Sequence, residues 1–296
     1  MSNATSSMSD RAFRRRWGVP FEWVLVVLVS LLFLGPVVWM AASSLKPEAA
    51  IHEHVDTPAG FVPVPFTVDN YVDAAERSRL GWTMLNSLLV VALVAVGGIV
   101  LNGLAAYAFA RMDFPGRELI FMFLVASIII PLEVIVIPLF MTVRFSAGLQ
   151  EVAGEYVWTM GALSVPFCAK AFNIYLMHQA FLGLPRSLEE AAFIDGMSWW
   201  GVYWRIALPN VKPTLVTVVV LDFVIHWNDF LWPLVICDRA DTRTIQLGLQ
   251  NFFTKPPIQW GDILAYAILA TIPLMAVFVL GQRWIISSMA GTGLKQ

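Results

Sequence analysis

Charge is scarce in this chain. Only 14% of its 296 residues are Asp, Glu, Lys or Arg, against 58% hydrophobic, whereas soluble domains run nearer a quarter charged and half apolar. That shortage excludes an ordinary soluble globule, and a mean hydropathy of +0.71 points the same way. The net charge of −2 comes with no sizeable basic patch, so nucleic acid is not an expected partner. Cysteine is scarcer still. Cys168 and Cys237 both sit in apolar runs, which argues against a disulfide framework and for buried free thiols. The chain lacks a G-x-x-x-x-G-K-[ST] phosphate loop, so no ATP-hydrolysing site of that kind is expected in it. It also lacks H-E-x-x-H and G-x-S-x-G, which speaks against membrane proteases and esterases. His52, His54, His178 and His226 do not stand at metal-ligand spacing. No enzyme, resident cofactor or metal is expected in this chain.

What is present is a series of long apolar runs. A membrane-spanning helix needs roughly 20 mostly apolar residues. Six stretches qualify: about Phe21 to Ala41, Thr83 to Ala110, Leu119 to Met141, Val157 to Met177, Leu215 to Ile236 and Ile263 to Ile286. The expectation is an all-α membrane protein with six transmembrane helices over residues 21–288, a tail at 1–20 and another at 289–296. Pro36, Pro131, Pro138, Pro166, Pro233 and Pro273 fall inside these runs. In a bundle, neighbours satisfy the freed backbone groups, so kinked helices are expected. The cluster Arg11, Arg14, Arg15 and Arg16 adjoins the first run. By the positive-inside rule it places the N-terminus in the cytoplasm, and an even number of spans places the C-terminus there too. The patch suits a retained first helix better than a cleaved signal.

The inner segment 185–209 is the most informative. Ser187 with Glu190 three residues on is a capping-box pattern, so a short helix is expected to start there. Gly196 is placed to end it in a left-handed turn. Ser198 is placed to cap a second short helix that Pro209 stops. Ala191 and Ala192 offer a smooth surface for close approach by another protein. Trp199, Trp200, Tyr203 and Trp204 give the second half an aromatic character suited to the headgroup level.

Glu190-Ala191-Ala192, then three residues, Gly196, then nine residues, Ile206-x-Leu208-Pro209 resembles the E-A-A loop of binding-protein-dependent ABC importer permeases. Further segments resemble the carbohydrate branch, in particular its maltose-type second permease. They are Ala105 to Arg111 with Phe114-Pro-Gly-Arg117, Ile130-Pro131, Ile137-Pro138 and Trp227 to Leu234. The tail Met289 to Lys295 departs from that family's usual Gly-Ala-Val-Lys-Gly ending. The resemblance implies a type I ABC importer permease fold in the bacterial inner membrane. It implies a second permease subunit, two ATPase subunits that bind ATP and Mg, and an extracytoplasmic substrate-binding protein. It also implies that Glu190, Ala191, Ala192, Asp195, Gly196, Ile206, Leu208 and Pro209 couple to the ATPase, with Glu190 pairing with a basic residue there.

Polar residues interrupt two runs: Lys170 and Asn173 in the fourth, Asp222, His226, Asn228 and Asp229 in the fifth. Facing lipid they would be costly, so they should face the bundle interior or a water-filled path. Two readings stay open. Lys170 pairs with Asp222 or Asp229 while Asn228 satisfies a kinked backbone, or these residues line the translocation path together with the flanking Trp227 and Trp232. A lysine on that path leaves open an anionic sugar derivative as substrate. The outer loop 238–261 is too long for a tight turn, and long loops are often functional. Asn251, Phe252, Phe253 and Trp260 are its candidate contacts with the binding protein. The rival reading is an ion-coupled secondary transporter with Asp222, His226 and Asp229 as relay; pseudo-symmetric halves, frequent in such proteins, are not visible here.

Overall fold

The structure is a computed structural model describing the backbone of residues 6–146, 148–254 and 256–293, and side chains from 22 to 284 except 147, 149 and 255. The arginine cluster at 11–16, the side chain of Lys255 and the tail beyond residue 284 fall outside the described side chains. Among the described residues every regular element is helical. In order these are α1 (Ser6–Ser44), α2 (Glu48–His54), α3 (Asp69–Ser78), α4 (Leu80–Arg111), α5 (Arg117–Ala126), α6 (Leu132–Phe145), α7 (Gly148–Ala153) and α8 (Glu155–Ser164). They continue as α9 (Ala171–Leu182), α10 (Arg186–Ile194), α11 (Trp199–Val202), α12 (Leu208–Asn210), α13 (Lys212–Trp227), α14 (Leu231–Ile236), α15 (Ile245–Thr254) and α16 (Trp260–Gly293).

Among the described residues three stretches are continuous, apolar and long enough to span: Glu22–Ser44, Leu80–Arg111 and Trp260–Trp284. Three more are bent pairs, which makes six if each pair is one span. Arg117–Ile129 meets Leu132–Phe145 at 107°, Glu155–Phe167 meets Ala171–Leu182 at 52°, and Trp199–Asn210 meets Lys212–Trp227 at 76°. Proline explains part of this. Pro131 is the N-cap of α6 and Pro166 sits in the short 3₁₀ turn Val165–Phe167, each at a break where the helical ladder has already ended. Pro138 and Pro273 instead lie inside helices that run on. The fifth expected span, Leu215 to Ile236, is also interrupted: α13 ends at Trp227 and α14 begins at Leu231.

The described chain forms two compact units. One comprises residues through Glu76 with Pro256–Leu269. Its centre is a knot of buried polar side chains. Lys46 is fully buried, and its Nζ donates to Ala59 O at 2.7 Å and Gly60 O at 3.0 Å. Burial pushes its pKa down from the ordinary lysine value. Asn70 Nδ2 donates to Ser44 O and Lys46 O at 2.8 and 2.7 Å. The Glu48 carboxylate accepts from the N–H groups of Trp260 and Gly261, each at 2.9 Å, an anion at the positive start of α16.

The second unit comprises Arg77–Lys255 and Ala270 onward. Here α9, α13, α15 and α8 pack around α4. One core joins Ala106, Tyr107 and Ala110 of α4 to Met177 and Phe181 of α9 and to Tyr203 and Ala207. A second joins Val90 and Val94 to Trp158, Leu163 and Trp232. The side of α4 carrying glycines lets the neighbours come close: a Cβ at Gly97 would collide with the Cys168 side chain, at 3.0 Å from its Cβ and closer still to its sulfur. Cys168 is buried, Cys237 half-buried, and both are free thiols.

Candidate coupling loop and intramembrane polar cluster

The segment 185–209 folds as a helix, a turn and a second helix. α10 begins at Arg186 with Pro185 as N-cap and no side-chain cap. The expected Ser187–Glu190 capping box is therefore absent: Pro185 sets the entry, and Ser187 is already the second helical residue. The end follows the expected chemistry. Gly196 has φ +82°, its N–H bonds Phe193 O at 3.0 Å, and the Met197 N–H bonds Ala192 O at 3.0 Å. This is the Schellman pattern, which needs a residue free to adopt the left-handed conformation. Ser198 Oγ then accepts from the Gly201 N–H at 3.3 Å and caps α11. Pro209 does not stop this second helix. The helix passes through a π turn at Tyr203–Ala207 into α12, where Pro209 sits in the first turn, and the chain bends at Val211.

The two glutamates of this loop have opposite surroundings. Glu190 is exposed. Glu189 is buried, with its Oε2 2.7 Å from Arg111 Nε at the end of α4. Ala191 is exposed but Ala192 is 5% exposed. Ala192 therefore packs inward and is not part of an outer docking surface, because α10 turns that face toward the core. Asp195, Gly196 and Pro209 are exposed, and Ile206 and Leu208 half-buried. Trp199, Trp200 and Trp204 stay exposed while Tyr203 is buried.

Four of the polar residues of the fourth and fifth stretches, Lys170, Asn173, Asp222 and His226, come together at the break between α8 and α9. Lys170 Nζ lies 2.5 Å from Asp222 Oδ1 and 2.7 Å from His226 Nε2. Since an ammonium only donates, that imidazole nitrogen is the acceptor. Asn173 Nδ2 donates to both oxygens of Asp222, at 3.1 and 2.9 Å. Asn102 of α4, fully buried, accepts the Lys170 backbone N–H through Oδ1 at 2.8 Å. Asp229 does not join: it accepts the Trp232 N–H at 3.3 Å, in the first turn of α14. Its carboxylate is half-buried. Asn228, exposed, donates to Val224 O at 2.7 Å and so satisfies the end of α13. Trp227 is 1% exposed, stacked on Phe223 and donating to Ala270 O at 2.9 Å. It packs inside the chain and offers no face to a path; the same holds for Trp232, which donates to Ala162 O at 3.1 Å.

Sequence profiles and relatives agree on what this scaffold is. Residues 98–291 match the family described as binding-protein-dependent transport system inner membrane component. The chain belongs to that family. It is 31% identical over 278 residues to the sn-glycerol-3-phosphate transport system permease protein UgpE of Yersinia enterocolitica, covering 91% of this chain and 95% of that one. It is 27% identical over 286 residues to the arabinooligosaccharides transport system permease protein AraQ of Halalkalibacterium halodurans, covering 95% and 99%. Its fold matches a bacterial ABC transporter for import of the acidic polysaccharide alginate, with TM-score 0.76 at 20% identity over 92% of this chain and 97% of that one. The protein is thus a permease subunit of a binding-protein-dependent ABC importer, a helical protein of the inner membrane.

In this permease residues 239–252 of the segment 238–261 are a braced structure rather than a free loop. Asn86 Nδ2 donates to Asp241 O and Arg243 O at 2.8 and 2.9 Å, and Tyr156 Oη donates to Asn86 Oδ1 at 2.8 Å. Ser87 Oγ accepts from the Ile245 N–H where α15 starts. Arg239 bridges Asp241 and Glu155 at 2.8 and 3.1 Å, and holds the Asp241 carboxyl below its ordinary pKa. Phe252 is 1% exposed with the Arg77 guanidinium over its ring. It is a core residue of α15, and its expected role as an outward contact is corrected. Asn251 is half-buried and accepts from Arg243, whereas Phe253 and Trp260 are exposed. Sequence reading missed Asn102, Arg111, Glu189 and the Asn86–Tyr156 brace. Asn102 was open to the same logic as Lys170, a polar group in an apolar run; the others depend on which face each helix turns inward.

Proposed function

We propose that this permease forms one half of a translocation path for a sugar or sugar derivative and takes its drive from an ATPase docked on the α10–α11 loop. The observation that carries the reading is the exposed Glu190 on a helix whose other face is fixed inside. A carboxylate presented on a braced helix suits charge-assisted pairing with a basic residue of a partner. The chain has no phosphate loop, so ATP and Mg belong to the partner ATPase, in two copies. A second permease completes the path, an external binding protein delivers substrate, and both termini lie in the cytoplasm. Similar permeases named for arabinooligosaccharides, diacetylchitobiose and starch degradation products support a carbohydrate substrate. Lys170 is neutralised in place by Asp222, which favours a neutral ligand over an anionic one at this level of the path.

Glu190→Ala tests the docking. A hydrogen bond to a charged group is worth about 1.5–3 kcal/mol, so ATPase affinity should fall about ten- to a hundredfold. Glu190→Gln keeps shape and removes the charge, and should be impaired as well. A wild-type dissociation constant for Glu190→Gln would remove the electrostatic part. The ion-relay alternative is disfavoured because Asp222 is already engaged by Lys170 and Asn173, and Asp229 is engaged by the Trp232 N–H in the first turn of α14. Uptake that survives ATP depletion but not collapse of the ion gradient would restore it.

A further inference from the structure

Two buried contacts fasten the α10–α11 segment to a single helix. Arg111 ends α4, and its pair with Glu189 leaves the two side chains only 4% and 6% exposed. The same guanidinium donates through Nη2 to Leu184 O at 2.9 Å, in the turn that leads into α10. Beyond α11, Tyr203 is buried with its ring 5.2 Å from that of Tyr107. It sits so close to Gly103 that a Cβ there would collide with its hydroxyl. Gly103, Tyr107 and Arg111 are spaced by four residues and so lie along one face of α4. The same helix carries Asn102, which holds the Lys170 backbone, roughly 14 Å along the axis from Arg111 at about 1.5 Å per residue. α4 therefore runs from the loop to the polar cluster.

The pair is a poor device for stability alone. Taking two charges out of water costs energy that their attraction only partly offsets, and well-packed apolar side chains often do as well. Its neighbourhood is also incompletely satisfied. Arg111 Nε and Tyr203 Oη are buried without an aligned hydrogen-bond partner, whereas most buried polar groups have one, and the Tyr107 hydroxyl borders the Glu189 carboxylate. A π turn, a form common at functional sites, starts at Tyr203. Leftover bonding capacity at a junction of two elements suits a seat with a second arrangement that uses it.

We propose that Arg111 and Glu189 are a positioning pair that locks the α10–α11 loop to α4, so that ATPase movement received at Glu190 is delivered along α4 to the Lys170–Asp222 cluster. This rests on the coupling reading above. Glu190 and Glu189 then divide the work: one meets the partner, the other holds the chain's own transmission helix.

The test uses the complete importer, purified through a tag on this chain, with ATP and vanadate as the probe that traps the ATPases closed. Hydrogen exchange is compared with and without the probe at residues 186–204 and at residues 168–173. In the wild type both regions respond. In Glu189→Gln the loop still responds, and the response at 168–173 falls at least about threefold, the scale at which coupling networks are perturbed. The exchanged pair Arg111→Glu with Glu189→Arg restores part of it. If Glu189→Gln prevents assembly, the double variant Arg111→Met with Glu189→Met, which buries no charge, serves with the same expectation. A full response at 168–173 in an assembled pair variant overturns the proposal. So does a wild-type complex in which the loop responds and 168–173 does not. A wild-type loop that fails to respond overturns the coupling reading and this proposal with it, whereas Glu190→Ala silencing the loop supports the reading independently of the pair.

Discussion

Glu189 and Glu190 are adjacent, chemically identical and differently used. On a helix, consecutive residues point about 100° apart, so one faces Arg111 and the other faces out. Spacing alone marked Glu190; only the packing of α10 against α4 reveals Glu189. The same limit applied to Lys170, whose partner was open between Asp222 and Asp229 until the break before α9 set it against Asp222. That pair yields a residue-scale prediction. Lys170→Met leaves Asp222, 1% exposed, without its counter-charge and should destabilise by about 3–5 kcal/mol, while Lys170→Met with Asp222→Leu should cost far less. Thermal unfolding of the purified complex reads both. Equal losses in the single and double variants would show that the charges are not compensating one another.

At the element scale, apolar runs located the helices well and their breaks poorly. Gly196 and Ser198 were legible because their roles are local: a left-handed residue and a side-chain cap need only near neighbours. Ser187 misled because Pro185 starts the helix first. Gly196→Ala would force an alanine to φ +82° at a cost of about 1–2 kcal/mol, so exchange at the end of α10 should quicken about five- to thirtyfold. Unchanged exchange there would mean that the turn tolerates a side chain. The segment 239–244 makes a pH prediction. Asp241 is held below the ordinary carboxylate pKa, first by its bonds to Arg239. Its contribution is complete above the unfolded value and disappears as pH falls through the lower folded one. Exchange over 239–244 should be flat, after correction for intrinsic rates, down to about pH 5 and rise below about pH 4. A rise between pH 7 and 5 would point to another group.

At the scale of the molecule, composition alone announced a membrane bundle, and motif order announced the importer family; residues 98–291 carry the family match. Less legible was how much of the chain outside the spans is built rather than loose. The buried Lys46, the Glu48 carboxylate on the start of α16 and the Asn86 brace all rest on long-range contacts that no local pattern encodes. The most apolar stretch of Glu22–Ser44 is unburied within the chain, while Ala42, Ser43 and Ser44 at its end are buried; that apolar surface is left to lipid. The central claim is that this chain is a transport subunit driven by ATP bound elsewhere. Isolation of the native complex from membranes through a tag on this chain, with its subunits identified by mass, tests it most directly. The account predicts a second, related permease and a phosphate-loop ATPase in twofold amount, with the ATPase lost and the permease pair retained when Glu190→Ala weakens docking. A chain that purifies alone, monodisperse, and drives uptake in liposomes from an ion gradient without ATP would contradict it.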